Sequence, residues 1–185
     1  MFESLAVALA FAYVVLAIRQ NIYCWLASAV SAAIYVLVMY RAGLYMQSAL
    51  QFFYIAMAAY GWLSWRKGKH DAAGLSVSSW PLIFHLLPVL IILALTWFSG
   101  SILAGGSDAA FPYLQSFTAW GPLFATWMVA QKILQNWHYW FVIDSVSVYL
   151  FASAGLWPTA GLFVGYLILI VIGYRVWRRD LPVSQ

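Results

Sequence analysis

The sequence predicts an all-α integral membrane protein of seven transmembrane helices, arranged as two parallel three-helix bundles with one extra helix between them. Three observations carry this. The 185 residues are 65% hydrophobic and 8% charged, with a mean hydropathy of +0.87, a composition foreign to soluble domains. Seven apolar stretches approach the length of about 20 residues that a bilayer span requires. The chain also matches itself when slid along by 112 positions.

The first span runs from Phe2 to Ile18. Glu3 leads it and Arg19 follows it, whereas a cleavable signal would begin basic and end at a small-residue site, so this is a mature helix. The others run from Ile22 to Tyr40, Leu44 to Trp65, Trp80 to Trp97, Tyr113 to Ala130, Leu134 to Ser153 and Leu156 to Trp177. The connection from Arg66 to Ser79 and the Gly/Ser/Ala segment from Ser99 to Ala110 read as flexible loops without a fold of their own. The organisation is a first bundle over 1–67, a linker with the fourth span over 68–112, and a second bundle with a cytoplasmic tail over 113–185.

Seven spans put Arg19, Arg66, Lys67, Lys69, Lys132, Arg175, Arg178 and Arg179 on one side and only Arg41 on the other. The positive-inside rule then places the N-terminus outside and the C-terminus in the cytoplasm. The net charge of +4 is thereby a topology signal and not a nucleic-acid footprint. Cys24 is the single cysteine, which excludes an intrachain disulfide or a cysteine zinc site. No cofactor is implied.

At the 112-residue offset Trp25 meets Trp137, Ala42-Gly43-Leu44 meets Ala154-Gly155-Leu156, Tyr54 meets Tyr166, Gly61 meets Gly173, and Trp65-Arg66 meets Trp177-Arg178. Chance alanines and leucines are common in membrane helices; paired tryptophans and glycines are not. The fourth span has no mate. Three spans reverse the chain's direction and one more restores it, so both halves enter the bilayer with the same orientation. This is a 3+1+3 parallel repeat, the class to which the SWEET sugar transporters belong, with a substrate site between the halves near the midplane.

Asp144 is the acid inside a hydrophobic span, where a carboxylate costs about 2.5 to 3.5 kcal/mol and commonly marks a pathway or site. Trp137, Trp140 and Asp144 lie at i, i+3 and i+7, one stripe of a helix. Indole faces attract cations and flat rings, and a carboxylate adds charge pairing, so the stripe suits a flat cationic ligand. The structural alternative is an interfacial tryptophan belt with Asp144 bonded to a hydroxyl.

On the third span Gln47, Gln51 and Tyr54 share a face. Gln51 and Tyr54 are candidates for ligand contact or for interhelical hydrogen bonds, and Gln47, nearer the outer end, for the latter or solvent. Gln51 meets Phe163, Trp140 meets Ser28, and Asp144 meets Ala32 across the repeat. The halves are thus unequally equipped, which implies an asymmetric ligand. Gly61 and Gly173 fit close helix packing. His85 and His138 read as core or interfacial residues before metal ligands, and Trp120, Trp127 and Gln115 could also face a cavity.

Gln51-Phe52-Phe53-Tyr54, Tyr60-Gly61-Trp62-Leu63-Ser64-Trp65 and Trp137-His138-Tyr139-Trp140-Phe141-Val142-Ile143-Asp144 make the chain resemble the PnuC family of bacterial vitamin transporters, full-length relatives of the SWEET fold. The last stretch fits the family's tryptophan-x-x-tryptophan-x-x-x-asparagine-or-aspartate signature. The resemblance implies nicotinamide riboside as substrate, facilitated diffusion, a homotrimer and the bacterial inner membrane. Thiamine and riboflavin are the alternative substrates within the family.

A retinal protein would need a lysine in the last span, and Leu156 to Trp177 has none. An enzyme would need convergent acid, base or metal groups. A non-transporting assembly subunit is the remaining rival. No Gly-x-x-x-x-Gly-Lys-Ser/Thr run is present, which argues against ATP-driven transport by this chain.

Overall fold

The computed structural model describes residues 2–41, 45–67, 75–106, 111–153, 155 and 157–182. Seven helices cover most of them: α1 (Phe2–Ile18), α2 (Tyr23–Arg41), α3 (Tyr45–Lys67), α4 (Ile83–Gly106), α5 (Pro112–Ala130), α6 (Asn136–Ser153) and α7 (Trp157–Arg179). Among the described residues there is no β-strand. Ala42-Gly43-Leu44, Ala154 and Leu156, used above for the repeat, lie outside the described residues, as do 68–74 and 107–110.

Within each half, α1 packs on α2 and α2 on α3, as α5 packs on α6 and α6 on α7; α4 leans on α5, and the halves meet through α3 with α5 and α1 with α7. Large apolar side chains on α4 face outward, including Leu87, Trp97 and Phe98. Such a surface is at home in lipid, where every backbone polar group must be bonded within its own helix.

The repeat is visible atom by atom. Trp25 lies over Gly61 and Trp137 over Gly173, each indole occupying the space a Cβ would take. Trp25 meets the edge of Trp65 at 5.5 Å and 84°, and Trp137 meets Trp177 at 5.4 Å and 88°. Trp65 and Trp177 then approach each other at 6.4 Å, so the four rings form one seam across the two halves. The turns preceding α2 and α6 also match: Gln20 and Lys132 both adopt left-handed φ, 51° and 50°.

Two stretches expected to be loops are ordered. Residues 99–106 continue α4, because tertiary contacts outweigh their Gly/Ser/Ala composition. Ser99 Oγ donates to the Leu95 carbonyl at 2.7 Å and accepts the Trp120 indole N–H at 3.1 Å, while Gly100 admits the Tyr113 ring against the helix. Residues 75–80 form a strap over the α5–α6 turn. The Ser78 N–H donates to the Lys132 carbonyl at 3.0 Å and accepts in return, through its carbonyl, the Leu134 N–H at 2.8 Å. Gln135 accepts the Trp80 N–H at 3.1 Å and donates to Ser79 Oγ at 2.6 Å. Val77, buried, joins the main core with Trp25, Trp65, Trp137 and Trp177. The fourth helix therefore starts at Ile83 and not at Trp80.

Overpacking a filled interior costs about 1–3 kcal/mol. Gly61→Ala and Gly173→Ala should each lower the melting temperature in detergent, since the new methyl meets an indole. Gly165→Ala has open space and should leave it unchanged or raise it, because alanine is the better helix former.

Candidate functional site

The turn that launches α6 is held firmly. The Ile133 N–H donates to the Met128 carbonyl at 3.0 Å, and the Asn136 side chain donates to the Ile133 carbonyl at 2.6 Å. This anchors Trp137, which is buried between Gly173 and Trp177. One and two turns further along, on the same stripe, come Trp140 and Asp144. All three border one cavity of about 210 Å³.

Three helices line that cavity with the same spacing. Trp137, Trp140 and Asp144 come from α6, Phe163, Tyr166 and Ile170 from α7, and Ala10, Tyr13 and Ala17 from α1, each set at i, i+3 and i+7. Val14 and Val129 complete the wall. Because α6 and α7 run antiparallel around their turn, Asp144 lies level with the middle of α7, near Tyr166, and Trp137 with its later turns. The cavity thus has a polar end, where the Asp144 carboxylate acts electrostatically on Tyr166, and an apolar end beside Ile170 and Ala17.

Asp144 is 5% exposed, and among the described residues its carboxylate forms no hydrogen bond or ion pair with the protein. Among the described residues no Lys, Arg or His lines the cavity. A buried carboxylate without a partner is costly, so this end is built for a group that brings positive charge or hydrogen-bond donors. The two tryptophans differ in situation. Trp137 is tied into the ring seam, whereas Trp140 is half-buried and makes no ring–ring contact among the described residues.

Gln51 and Tyr54 do not line this cavity. Tyr54 acts electrostatically on Tyr13 of the cavity wall and meets Phe53 edge-on at 5.8 Å. Gln51 is half-buried on the same helix, and the side chain of Gln47 lies outside the described residues. Trp120 and Trp127 face α4, the first bonded to Ser99 and the second 5.7 Å from Trp80. His85 bonds Tyr139 at 3.1 Å and His138 packs on Tyr174 at 4.9 Å; both border a separate apolar groove against α4. The aromatic wall of α7, Phe163 with Tyr166, is the part that sequence reasoning missed. Its signal was present as the repeat mate of Tyr54.

Beyond the apolar end the two halves are clasped. Trp177 Nε1 donates to the Ala17 carbonyl at 3.1 Å, Gln20 Nε2 to Asp180 at 2.6 Å, and Lys132 Nζ to Gln20 Oε1 at 3.0 Å while lying 4.8 Å from the Trp65 ring centroid. Gln131 donates to the Tyr60 hydroxyl.

A family model described as nicotinamide mononucleotide transporter matches residues 1–179. The chain is similar to proteins named nicotinamide riboside transporter PnuC from Escherichia coli (strain K12) and from Shigella flexneri, at 24% identity over 173 residues, covering 80% of this chain and 72% of each relative. Its fold is similar to the crystal structure of the Vitamin B3 transporter PnuC, with a TM-score of 0.74 and 23% identity over 96% of this chain and 80% of that one.

Because Cys24 is fully buried, the natural chain carries a silent thiol background. Ala10→Cys, at the cavity wall, should be modified by a small methanethiosulfonate in the folded protein, while Cys24 reacts only after denaturation; mass spectrometry of the intact chain reads both.

Proposed function

This chain belongs to the nicotinamide mononucleotide transporter family, the PnuC family of membrane transporters, and on that premise we propose that it takes up nicotinamide riboside, binding it in the cavity beside Asp144. The observation that carries the reading is the chemistry of the cavity wall: among the described residues, aromatic rings, one carboxylate and no basic residue. Phosphate recognition calls for Arg, Lys or clustered N–H donors, and a carboxylate repels a phosphate. The wall therefore favours the riboside over the mononucleotide after which the family is named, and the names of the relatives agree with that choice.

The pyridinium of the riboside is a flat cation. Trp140 supplies an indole for it, Trp137 fixes the register of the stripe, and Asp144 offers charge or hydrogen-bond acceptors. Gln51 and Tyr54, outside the cavity wall, take the smaller share of the binding energy. Transport is facilitated diffusion by alternating access, the two bundles rocking about the cavity, and cytosolic phosphorylation retains the vitamin. The protein works as a homotrimer in the bacterial inner membrane, N-terminus outside and C-terminus inside.

Binding of nicotinamide riboside, thiamine, riboflavin and nicotinamide to the purified protein tests the substrate directly; tight binding of thiamine or riboflavin alone would overturn it. Trp140→Ala should weaken riboside binding roughly thirtyfold, the equivalent of a desolvated cation–π contact of about 2 kcal/mol, and Gln51→Ala clearly less. Asp144→Asn keeps the shape and removes the charge, so it should lower affinity if charge pairing dominates and spare it if a hydroxyl is bonded. In liposomes without a kinase, uptake should stop at equal concentrations on the two sides whether or not a proton or sodium gradient is imposed. Accumulation beyond that point would sink the uncoupled mechanism.

A further inference from the structure

Tyr166 shares the polar end of the cavity with Asp144 and has no role in the reading above. Its ring is held by neighbours: Phe11 stacks at 6.4 Å and 28°, and Phe163 meets it at 5.9 Å and 82°. Its hydroxyl forms no hydrogen bond among the described residues, although the residue lines the cavity and feels the Asp144 charge. Tyr166 is half-buried, and a phenol turned away from solvent normally finds a partner for its O–H. Here a donor–acceptor group and an acceptor-only carboxylate line one cavity from neighbouring helices, with the buried, unpartnered Tyr13 hydroxyl on the α1 wall as the other polar group.

We infer that Tyr166 and Asp144 together read the ribosyl diol of the ligand, which makes Tyr166 the residue that separates a nucleoside from a bare pyridinium cation. One hydroxyl donates to the carboxylate and the neighbouring hydroxyl accepts from Tyr166, so both protein groups gain the partners the protein does not give them. The flat ring then lies toward Trp140 and the apolar end. The inference rests on the riboside reading and orients that ligand within the cavity. It also explains how a site lined chiefly by rings distinguishes among cations: a site whose polar groups stay unpaired with the wrong ligand rejects it far more strongly than a hydrophobic pocket can.

The test compares nicotinamide riboside, its 2′,3′-dideoxy analogue and 1-methylnicotinamide on the natural protein and on Tyr166→Phe, which keeps the ring packing and deletes only the hydroxyl. The natural protein should prefer the riboside to both analogues by tenfold or more. Tyr166→Phe should lose about tenfold for the riboside, as expected for one hydrogen bond in a desolvated site, and change less than twofold for the other two. Equal losses for all three ligands, or no loss for any, would overturn the inference and leave Tyr166 as packing. The dideoxy comparison needs no variant, so a misfolded Tyr166→Phe does not protect the idea: an unimpaired dideoxy analogue refutes it. A natural protein that binds no pyridinium ligand would overturn the riboside reading itself, and this inference with it.

Discussion

The contact on which the rest of the structure depends is an indole laid on a glycine, made twice. Trp25 on Gly61 and Trp137 on Gly173 bring α2 to α3 and α6 to α7 at a separation that no residue with a Cβ would permit. The edge-on tryptophans, Trp65 and Trp177, continue each joint toward the other half. Rings in such arrangements contribute about 0.5–1.5 kcal/mol per pair beyond their buried area. In lipid this matters more than it would in water, because the solvent is as apolar as the side chains and close packing must hold the helices together. Once Trp137 is fixed, helix geometry alone sets Trp140 and Asp144 one and two turns along the same stripe.

The duplicated frame carries unequal contents. Where the second half has Trp140 and Asp144, the first has Ser28 and Ala32; where it has Asn136 and Lys132, the first has Cys24 and Gln20. The cavity accordingly does not sit symmetrically between the halves. It lies between α6 and α7 of the second half and α1 of the first, with α5 adding only Val129. The inequality extends to the clasp. Trp177 bonds the Ala17 carbonyl, but the indole N–H of its mate Trp65 has no protein partner and the ring instead lies beneath Lys132.

The helices were legible because composition and apolar run length suffice where lipid is the solvent, and the repeat was legible because tryptophan and glycine are scarce enough for coincidences to count. The start and end of α1 and the end of α5 and α6 agree with the spans read from the sequence. What escaped were features decided by partners distant along the chain. Ser99 and Gly100 look like loop residues until Trp120 and Tyr113 arrive from α5, and the strap over 75–80 has no periodicity because its order comes from Lys132, Leu134 and Gln135. Within the site, Asp144 announced itself as a lone acid in an apolar run. Tyr166 did not, since one tyrosine on a helix rich in aromatic and aliphatic residues has no chemical contrast to mark it, and on α3 the polar neighbour Gln51 drew attention to its mate Tyr54 instead.

The proposed downhill carrier would have to hold neither closed end too firmly, and the seam carries contributions of both signs. Ring packing and the Gln20–Lys132–Asp180 clasp favour closure beyond the apolar end of the cavity. Against them stand the indole N–H groups of Trp25, Trp65 and Trp137 and the Asn136 carbonyl oxygen, all buried without a protein partner. A buried polar group left unbonded costs about 1–3 kcal/mol, so these groups offset part of what the ring contacts contribute. The clasp itself is polar and partly exposed, where such contacts are worth little. Opposing contributions of this kind suit a protein proposed to cycle with no energy source beyond the ligand's own gradient.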